Sequence, residues 1–371
     1  MDASLNKKLE NVQWGEYRLG DLFEIKPTKA YKKTNDQLFD ADGNIPVVTN
    51  SSVNNGVSGY SKMKATEQGN IITYSDTTTS EGIFYQPYDF VGYSHIQGLY
   101  PKLYKNKWNA STLIFIVVLF KKVAAGRFNY GNKFNRAIAS EFLIHLPTQN
   151  GEIDFEFMES FVAELEAQRV AELKAYLLAT GLKDYELTDK EKQAINDYDN
   201  IVWSSYNLKE LFGKSTRGKR LKSSDRIDGP LPFVTAGETN EGISAFIGNK
   251  VQIFPKNTTT IDMFGSAKYR NYDYGGDDHI AVVHTEDLPM KSAIFVTTSI
   301  HKSSHNGQFN YGKNFYAKDA DELNIMLPEE NNKPNYAYMK TLISAIQKLV
   351  IRDVVIFADR RIEATKQIID S

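Results

Sequence analysis

The chain is written twice, and nothing else in it constrains the fold as much. Phe128-Asn129-Tyr130-Gly131 returns as Phe309-Asn310-Tyr311-Gly312. Each copy is followed by a phenylalanine (Phe134, Phe315), by Leu-Pro (Leu146-Pro147, Leu327-Pro328) and by a long helical pattern, at constant spacing. Upstream, Trp14-Gly-Glu-Tyr-Arg-Leu-Gly-Asp-Leu-Phe23 answers Trp203-Ser-Ser-Tyr-Asn-Leu-Lys-Glu-Leu-Phe212. Ile45-Pro-Val-Val-Thr49 answers Leu231-Pro-Phe-Val-Thr235, and Asn54-Asn-Gly-Val-Ser-Gly-Tyr60 answers Asn240-Glu-Gly-Ile-Ser-Ala-Phe246. Tyr85, Tyr88, Asp89, Gly92, His95 and Ile96 match Tyr269, Tyr272, Asp273, Gly276, His279 and Ile280. The offset shrinks in steps, as happens when surface loops gain and lose residues. A unit this long is no solenoid repeat. It is a domain plus a helix, present twice.

The 371 residues suffice for two or three domains, and the duplication favours two similar halves. There is no cysteine, which removes disulfides, thiolate metal sites and a thiol nucleophile and fits a reducing cytosol. The first eight residues lack the apolar stretch of a signal peptide. The longest apolar run, Leu113 to Phe120, is too short to cross a bilayer. A cytoplasmic protein without a membrane partner is expected. The net charge of −2 taken alone argues against a nucleic-acid partner, but its distribution argues the other way. Lys26, Lys29, Lys32 and Lys33 lie together with no acid among them, as do Lys121, Lys122, Arg127, Lys133 and Arg136. In the second copy Lys214, Arg217, Lys219, Arg220, Lys222 and Arg226 are interrupted only by Asp225, while acids crowd between Glu152 and Glu191. One basic run is ordinarily a solvated face; basic runs in both copies point to an anionic partner.

Residues 1–13 read as a polar lead-in, and Tyr17 to Ile25 as a short helix or turn. Residues 26–150 read mostly as strands: Ile45-Pro-Val-Val-Thr, Asn70-Ile-Ile-Thr-Tyr and Gly82-Ile-Phe-Tyr are β-branched or aromatic runs between Gly, Asn and Ser clusters. Leu113 to Phe120 is a strand or a buried helix, since periodicity cannot decide a short apolar run. Asp154 can cap a helix carrying Phe155, Met158, Val162 and Leu165 on one stripe, with Gly181 as its stop. Thr188 starts a shorter helix. Residues 203–330 repeat the strand-rich plan. Beyond Pro334 a longer helix carries Met339, Ile343, Ile346, Val350, Val354 and Phe357 at spacings of three or four. Its wide apolar face is expected to pack antiparallel on the helix from Phe155 and to leave surface for another protein. The expected division is a domain over 1–150, a helical spacer over 151–200, a second domain over 201–330 and a closing helix over 331–371.

Catalytic patterns are missing. Gly307-Gln-Phe-Asn-Tyr-Gly312-Lys313-Asn314 approaches the phosphate-binding GxxxxGK[ST] pattern, but Asn314 replaces the magnesium-binding hydroxyl and no clear helix follows. The stretch is expected to form a turn presenting Asn, Tyr and Lys. His301 and His305 could share a helix face, but the Lys-Ser-Ser between them favours a loop, and no acid or cysteine completes a zinc set. There is no Ser-His-Asp arrangement, no GxGxxG and no Asn-Pro-Pro-aromatic tetrapeptide.

The Trp-x-x-Tyr-x-Leu-x-(Asp/Glu)-Leu-Phe opening, the Pro-x-Val-Thr segment, the Phe-Asn-Tyr-Gly turn, Leu-Pro and a long helix recur twice in one order over nearly the whole chain. In this the chain resembles a specificity subunit of a type I restriction-modification system; its compactness is similar to that of the separate specificity subunits of type IIB systems. The resemblance implies an α/β (α+β) fold of two tandem target-recognition domains, related by a pseudo-two-fold repeat and separated by two long antiparallel coiled-coil-like helices. It implies double-stranded DNA, two methyltransferase subunits and a restriction subunit as partners. S-adenosylmethionine and the adenine-N6 chemistry would belong to the methyltransferase subunits, with no cofactor, metal or catalytic residue on this chain.

The residue types agree. Lys and Arg supply phosphate affinity; Arg, Lys, Asn, Gln, Ser and Thr on rigid supports read bases. The first copy offers Lys29, Lys32, Lys33, Asn50, Thr77, Thr78, Thr79, Arg127, Asn129, Tyr130 and Lys133. The second offers Arg217, Lys219, Arg220, Lys268, Tyr269, Arg270, His301, Ser303, His305, Asn310, Tyr311 and Lys313. His95 and His279 are either hydrogen-bonded structural histidines or DNA contacts. Because Thr77-Thr78-Thr79-Ser80 differs from Ser266-Ala-Lys-Tyr-Arg270, an asymmetric, bipartite target is expected. Helices of roughly 40 and 50 Å, at 1.5 Å per residue, compare with about 34–36 Å per DNA turn, so a fixed gap between half-sites is expected. A self-contained nuclease or methyltransferase, or a protein-binding scaffold without nucleic acid, are the alternatives. The missing tetrapeptide and cofactor loop count against the first, and steep salt dependence of DNA binding would exclude the second.

Overall fold

A computed structural model describes residues 3–77, 80–128 and 133–369, with side chains as far as Glu363. The chain forms two compact units, Met1–Glu172 with Arg361–Ser371, and Leu173–Arg360. The division falls inside both long helices, Phe155–Ala179 and Tyr336–Ile369.

In the first unit, strand Gln13–Arg18 pairs antiparallel with Leu143–Gln149, Trp14 opposite Pro147 and Arg18 opposite Leu143. This joins the start of the domain to its end. Between them lies a four-stranded sheet in the order Phe23–Pro27, Ile96–Pro101, Ile71–Ser75, Ile83–Gln86, antiparallel throughout. The stretch from Tyr17 to Ile25 is therefore mostly strand, with only Leu19–Leu22 helical. Leu113 to Phe120 belongs to a helix, Ala110–Ala124, that buries Leu113, Ile116 and Phe120. A cap decides this where periodicity could not: the Asn109 side chain accepts from Thr112 N–H at 3.2 Å, satisfying an orphan donor of the first turn. Residues 3–11 are not a passive lead-in either. Helix Ala3–Asn11 buries Leu5, and its Lys8 pairs with Glu164.

The second unit repeats the plan in the same register. Ile72 faces both Tyr85 and Leu99 across the first sheet; Thr259 faces Tyr269 and Val283 across the second. Trp14 stacks on Phe115 at 6.5 Å and 23°, and Trp203 on Phe295 at 6.1 Å and 24°. Asn70 (φ +57°) and Asn257 (φ +66°) precede the central strands in the left-handed conformation that asparagine tolerates. Each accepts a hydrogen bond from a tyrosine hydroxyl, Tyr85 at 3.1 Å and Tyr269 at 2.8 Å. These pairs are the skeleton that both copies keep.

Each long helix is rooted in the core of its own domain. Asp154 caps the first by accepting from Phe157 N–H at 2.8 Å, and Asn335 caps the second by accepting from Tyr338 N–H at 2.8 Å. One turn on, Met158 and Met339 are fully buried. The first helix stops where Leu182 N–H returns to the Leu177 carbonyl at 2.9 Å and Gly181 takes φ +70°. Helix Asp189–Asn196 follows, with Thr188 and Glu191 in a reciprocal capping box. Within the second unit Lys348 reaches Glu191 at 3.1 Å and Asp184 at 2.8 Å. Burial pushes the Glu191 carboxyl up, but the Thr188 N–H, the Ser344 hydroxyl and Lys348 outweigh it and hold its pKa down at about 2. Ion pairs also join the long helices: Lys174 to Asp359 at 3.9 Å in the second unit, Arg361 to Glu166 at 3.8 Å in the first.

Candidate nucleic-acid interface

Antiparallel pairing sends the chain to one open end of each sheet three times. In the first domain strands Phe23–Pro27 and Ile71–Ser75 finish at the end where Ile96–Pro101 begins. The residues that follow are those expected to meet DNA. Lys29 is fixed through its backbone, its N–H donating to Glu67 at 2.6 Å and its carbonyl accepting from Thr66 at 2.6 Å, while its side chain is exposed. Lys32 and Lys33 are exposed beyond it. Asn50 meets Thr77 at 3.5 Å, so the hairpin Ile45–Val48/Val57–Ser61 contributes to the same end. Arg127 lays its guanidinium over Phe142 at 5.4 Å, and Lys133 is exposed. Phe134, next to it, packs on Tyr74 of the central strand at 4.5 Å, which carries this connection to the open end. Thr78, Thr79, Asn129 and Tyr130 lie outside the described residues.

The second domain gathers a different set at the matching end. Lys268 Nζ lies 3.1 Å from Glu238, 2.8 Å from the Ser266 hydroxyl and 4.0 Å from Asp262. It is a paired cation, not a free one. His301 Nδ1 accepts from Ala267 N–H at 3.1 Å, and its ring lies 4.7 Å from that of His305. An imidazole that accepts at Nδ1 carries its proton on Nε2. Burial lowers the His301 pKa, with His305 and Lys268 adding to the effect, so the neutral ring is favoured. His305 Nδ1 meets the Phe264 carbonyl at 3.1 Å. The Lys-Ser-Ser between the two histidines is the last turn of helix Met290–Ser304 and not a loop. At its end the Ser304 hydroxyl, a single donor, lies 2.6 Å from the Gly265 carbonyl and 2.8 Å from the Ile300 carbonyl. Ser303 is half-buried, its carbonyl accepting from Gln308 at 3.3 Å.

Asn310 and Lys313 close a tight turn through paired backbone bonds of 3.0 Å, the turn expected from the near-P-loop stretch. It leaves Tyr311 86% exposed, edge-on to Phe264 at 5.1 Å. Arg217 is exposed at the end of the outer strand, and Lys219 and Arg220 are exposed on the loop that leaves it. Gly218 lets that loop pass close to the sheet, since a Cβ there would sit 1.9 Å from the Gly276 carbonyl oxygen.

Two expected contacts are corrected. Arg270 is 1% exposed and is spent inside the domain, Nε donating to Thr260 at 2.9 Å and Nη1 to Tyr272 at 2.9 Å. Tyr269 is committed to Asn257. The physical reason is direction. Strand Ala267–Arg270 runs away from the open end, so each residue after Lys268 lies deeper. Sequence reasoning also passed over the acids of the open ends, Asp76 in the first domain and Glu238 and Asp262 in the second, which lie against the donors there. Asp76 and His95 stand 19 residues apart, so only the repeat match of His95 with His279 was a signal. Asp277, Asp278 and His279 bring ligand atoms within 4.8 Å of one another. Asp277 already accepts from Leu221 N–H at 3.3 Å and Asp278 pairs with His279 at 3.3 Å.

Two copies of one sheet-and-helix domain, each collecting exposed cations and amide or hydroxyl side chains at one sheet end, define a duplicated recognition protein. Residues 11–175 and 200–354 match the type I restriction modification DNA specificity domain, and the chain belongs to that family. It is a specificity subunit of a restriction-modification system. It is similar to the specificity subunit S.BcgI of a type II restriction enzyme from Heyndrickxia coagulans, with 20% identity over 349 residues, 92% of this chain and 96% of that one. Its fold is similar to that of the type I restriction-modification S subunit from M. genitalium, at a TM-score of 0.59 and 14% identity, over 97% of this chain and 95% of that one.

Proposed function

We propose that this chain is the non-catalytic, DNA-reading subunit of a cytoplasmic methyltransferase complex, and that each domain reads one half of a bipartite, asymmetric target. The observation that carries this reading is the contrast within the repeat. Strand register, tryptophan stacking and the caps of the two long helices are kept between the copies. At the open sheet ends one histidine (His95, His279) and, in sequence, Phe-Asn-Tyr-Gly recur, while the residues around them differ. Selection that preserves a scaffold and varies its tip is what two readers of different sequences need. Exposed Lys29, Lys32, Lys33, Lys219, Arg220 and Lys313 would supply phosphate contacts, and the long helices would set the gap between half-sites. Helix Tyr336–Ile369 leaves Ile346, Leu349 and Val354 exposed, and Val350 74% exposed, an apolar stripe suited to docking partner subunits. These would be two methyltransferase subunits, holding S-adenosylmethionine, and a restriction subunit. Among the described residues no helix is long and apolar enough to cross a membrane.

The test is reconstitution of this chain with its methyltransferase subunit, S-adenosylmethionine and duplex libraries. The complex should methylate adenine in a two-part motif with a fixed gap, and neither component alone should do so. Methylation by this chain alone would make it an enzyme, and a continuous or palindromic motif would contradict the two-reader account.

A further inference from the structure

At the open end of the first domain, Asp76 and His95 face each other where the central strand ends and its neighbour begins. Asp76 N–H donates to the His95 carbonyl at 3.0 Å, and Asp76 Oδ1 lies 3.0 Å from His95 Nδ1. The other carboxylate oxygen accepts from Gln97 Nε2 at 2.8 Å. Gln97 is buried, and its Oε1 has no hydrogen-bond partner among the described residues. Turning the amide over would aim that oxygen at the carboxylate, so the amide orientation is dictated by Asp76. His95 is held at φ +66°, a conformation that costs a non-glycine residue free energy and persists only where its surroundings fix it. Its ring is nonetheless 58% exposed. A strained backbone and a buried amide thus hold a carboxylate against an imidazole that faces solvent.

The second domain shows that the fold does not need this arrangement. Ser75 pairs with Ile96, and Asp262 with Ile280, in the same register. Asp76, His95 and Gln97 therefore correspond to Met263, His279 and Ala281. There the carboxylate and the amide are gone, and His279 turns to its sequence neighbour Asp278. The histidine is kept in both copies, but its carboxylate partner after the central strand and the amide beside it are not, so the scaffold does not require those two.

We propose that His95, positioned by Asp76, reads one base pair of the half-site bound by the first domain. Asp76 holds the imidazole proton on Nδ1, leaving Nε2 as an acceptor for the exocyclic amino group of adenine or cytosine in the major groove. The proposal rests on the reading of this chain as a DNA-specificity subunit. Asp76 and Gln97 are positioning residues that set the tautomer and direction of the ring.

The test uses the full complex with methyltransferase subunits and duplexes randomised across the target. His95→Ala and His95→Asn should each lose about tenfold discrimination at one base pair of one half-site, with the other half-site unchanged. Asparagine tolerates the left-handed backbone, so His95→Asn separates readout from folding. Asp76→Asn should weaken discrimination at that same pair, with a melting temperature near wild type. Unchanged discrimination in both His95 variants, or equal loss in both half-sites, would overturn the proposal. A wild-type complex without sequence preference would overturn the parent reading, and that arm is scored separately.

Discussion

The two domains share a skeleton and differ at the tip. Asn70 and Tyr85 repeat as Asn257 and Tyr269, and the Gln86–Thr73 hydrogen bond is replaced in place by Arg270–Thr260, both at 2.9 Å. At the open ends the histidines His95 and His279 and the Phe-Asn-Tyr-Gly sequence recur, but the side chains around them do not: an Asp–His–Gln cluster stands in one, a Lys–Glu–Asp cluster with two further histidines in the other. Positions that close the sheet are under packing constraint and tolerate only exchanges that preserve a buried hydrogen bond. Positions at the tip answer to a ligand. The comparison therefore sorts residues by role without reference to any other protein.

The sharpest way to break it is to attack the shared skeleton. Phe134→Ala and Phe315→Ala each remove a fully buried ring and should cost about 3–5 kcal/mol in their own unit, measured by urea denaturation of the full chain. A large cost in one copy and none in the other would show that the skeleton is not common. The attachment of the leading helices gives a contrast. Lys348→Met strands the buried Glu191 carboxylate and should destabilise the second unit by about 2–3 kcal/mol. Because the Glu191 pKa is depressed to about 2, its stabilisation is present above the unfolded value of roughly 4.5. It should fade as pH falls through about 2, and in Lys348→Met, where the Thr188 N–H and the Ser344 hydroxyl remain, the loss should lie at higher pH and be smaller. Lys8→Met breaks an exposed pair with Glu164 and should change stability by less than about 0.5 kcal/mol. At the tip, Lys219→Ala and Lys313→Ala should weaken binding to all sequences alike and each lower the salt slope by about one. A change of preferred sequence in either variant would move that lysine from phosphate contact to base reading.

Much of the scaffold is legible in the sequence because duplication supplies its own control. Matched Trp, Tyr, Leu-Pro and Phe-Asn-Tyr-Gly positions locate strands and helix starts whatever the local propensities. Four features stayed hidden for physical reasons. Leu113 to Phe120 is apolar on every face, and only its Asn109 cap marks it as a helix. Residues 3–11 look polar because one leucine, Leu5, carries their burial. Arg270 reads as a DNA contact because a basic residue in a basic segment is normally exposed, and here strand direction and a threonine–tyrosine pair take it inside. The Asp76–His95–Gln97 cluster is spread over two strands, and only the pairing register brings it together.

The central claim is that one fold, present twice, reads two different half-sites. Its most direct measurement is methylation mapping with a chimera that carries residues 13–149 in place of their counterpart in the second half. The account predicts a bipartite motif that has become symmetric, the first half-site appearing twice as an inverted repeat across the original gap. Retention of the wild-type asymmetric motif by a folded, active chimera would contradict it.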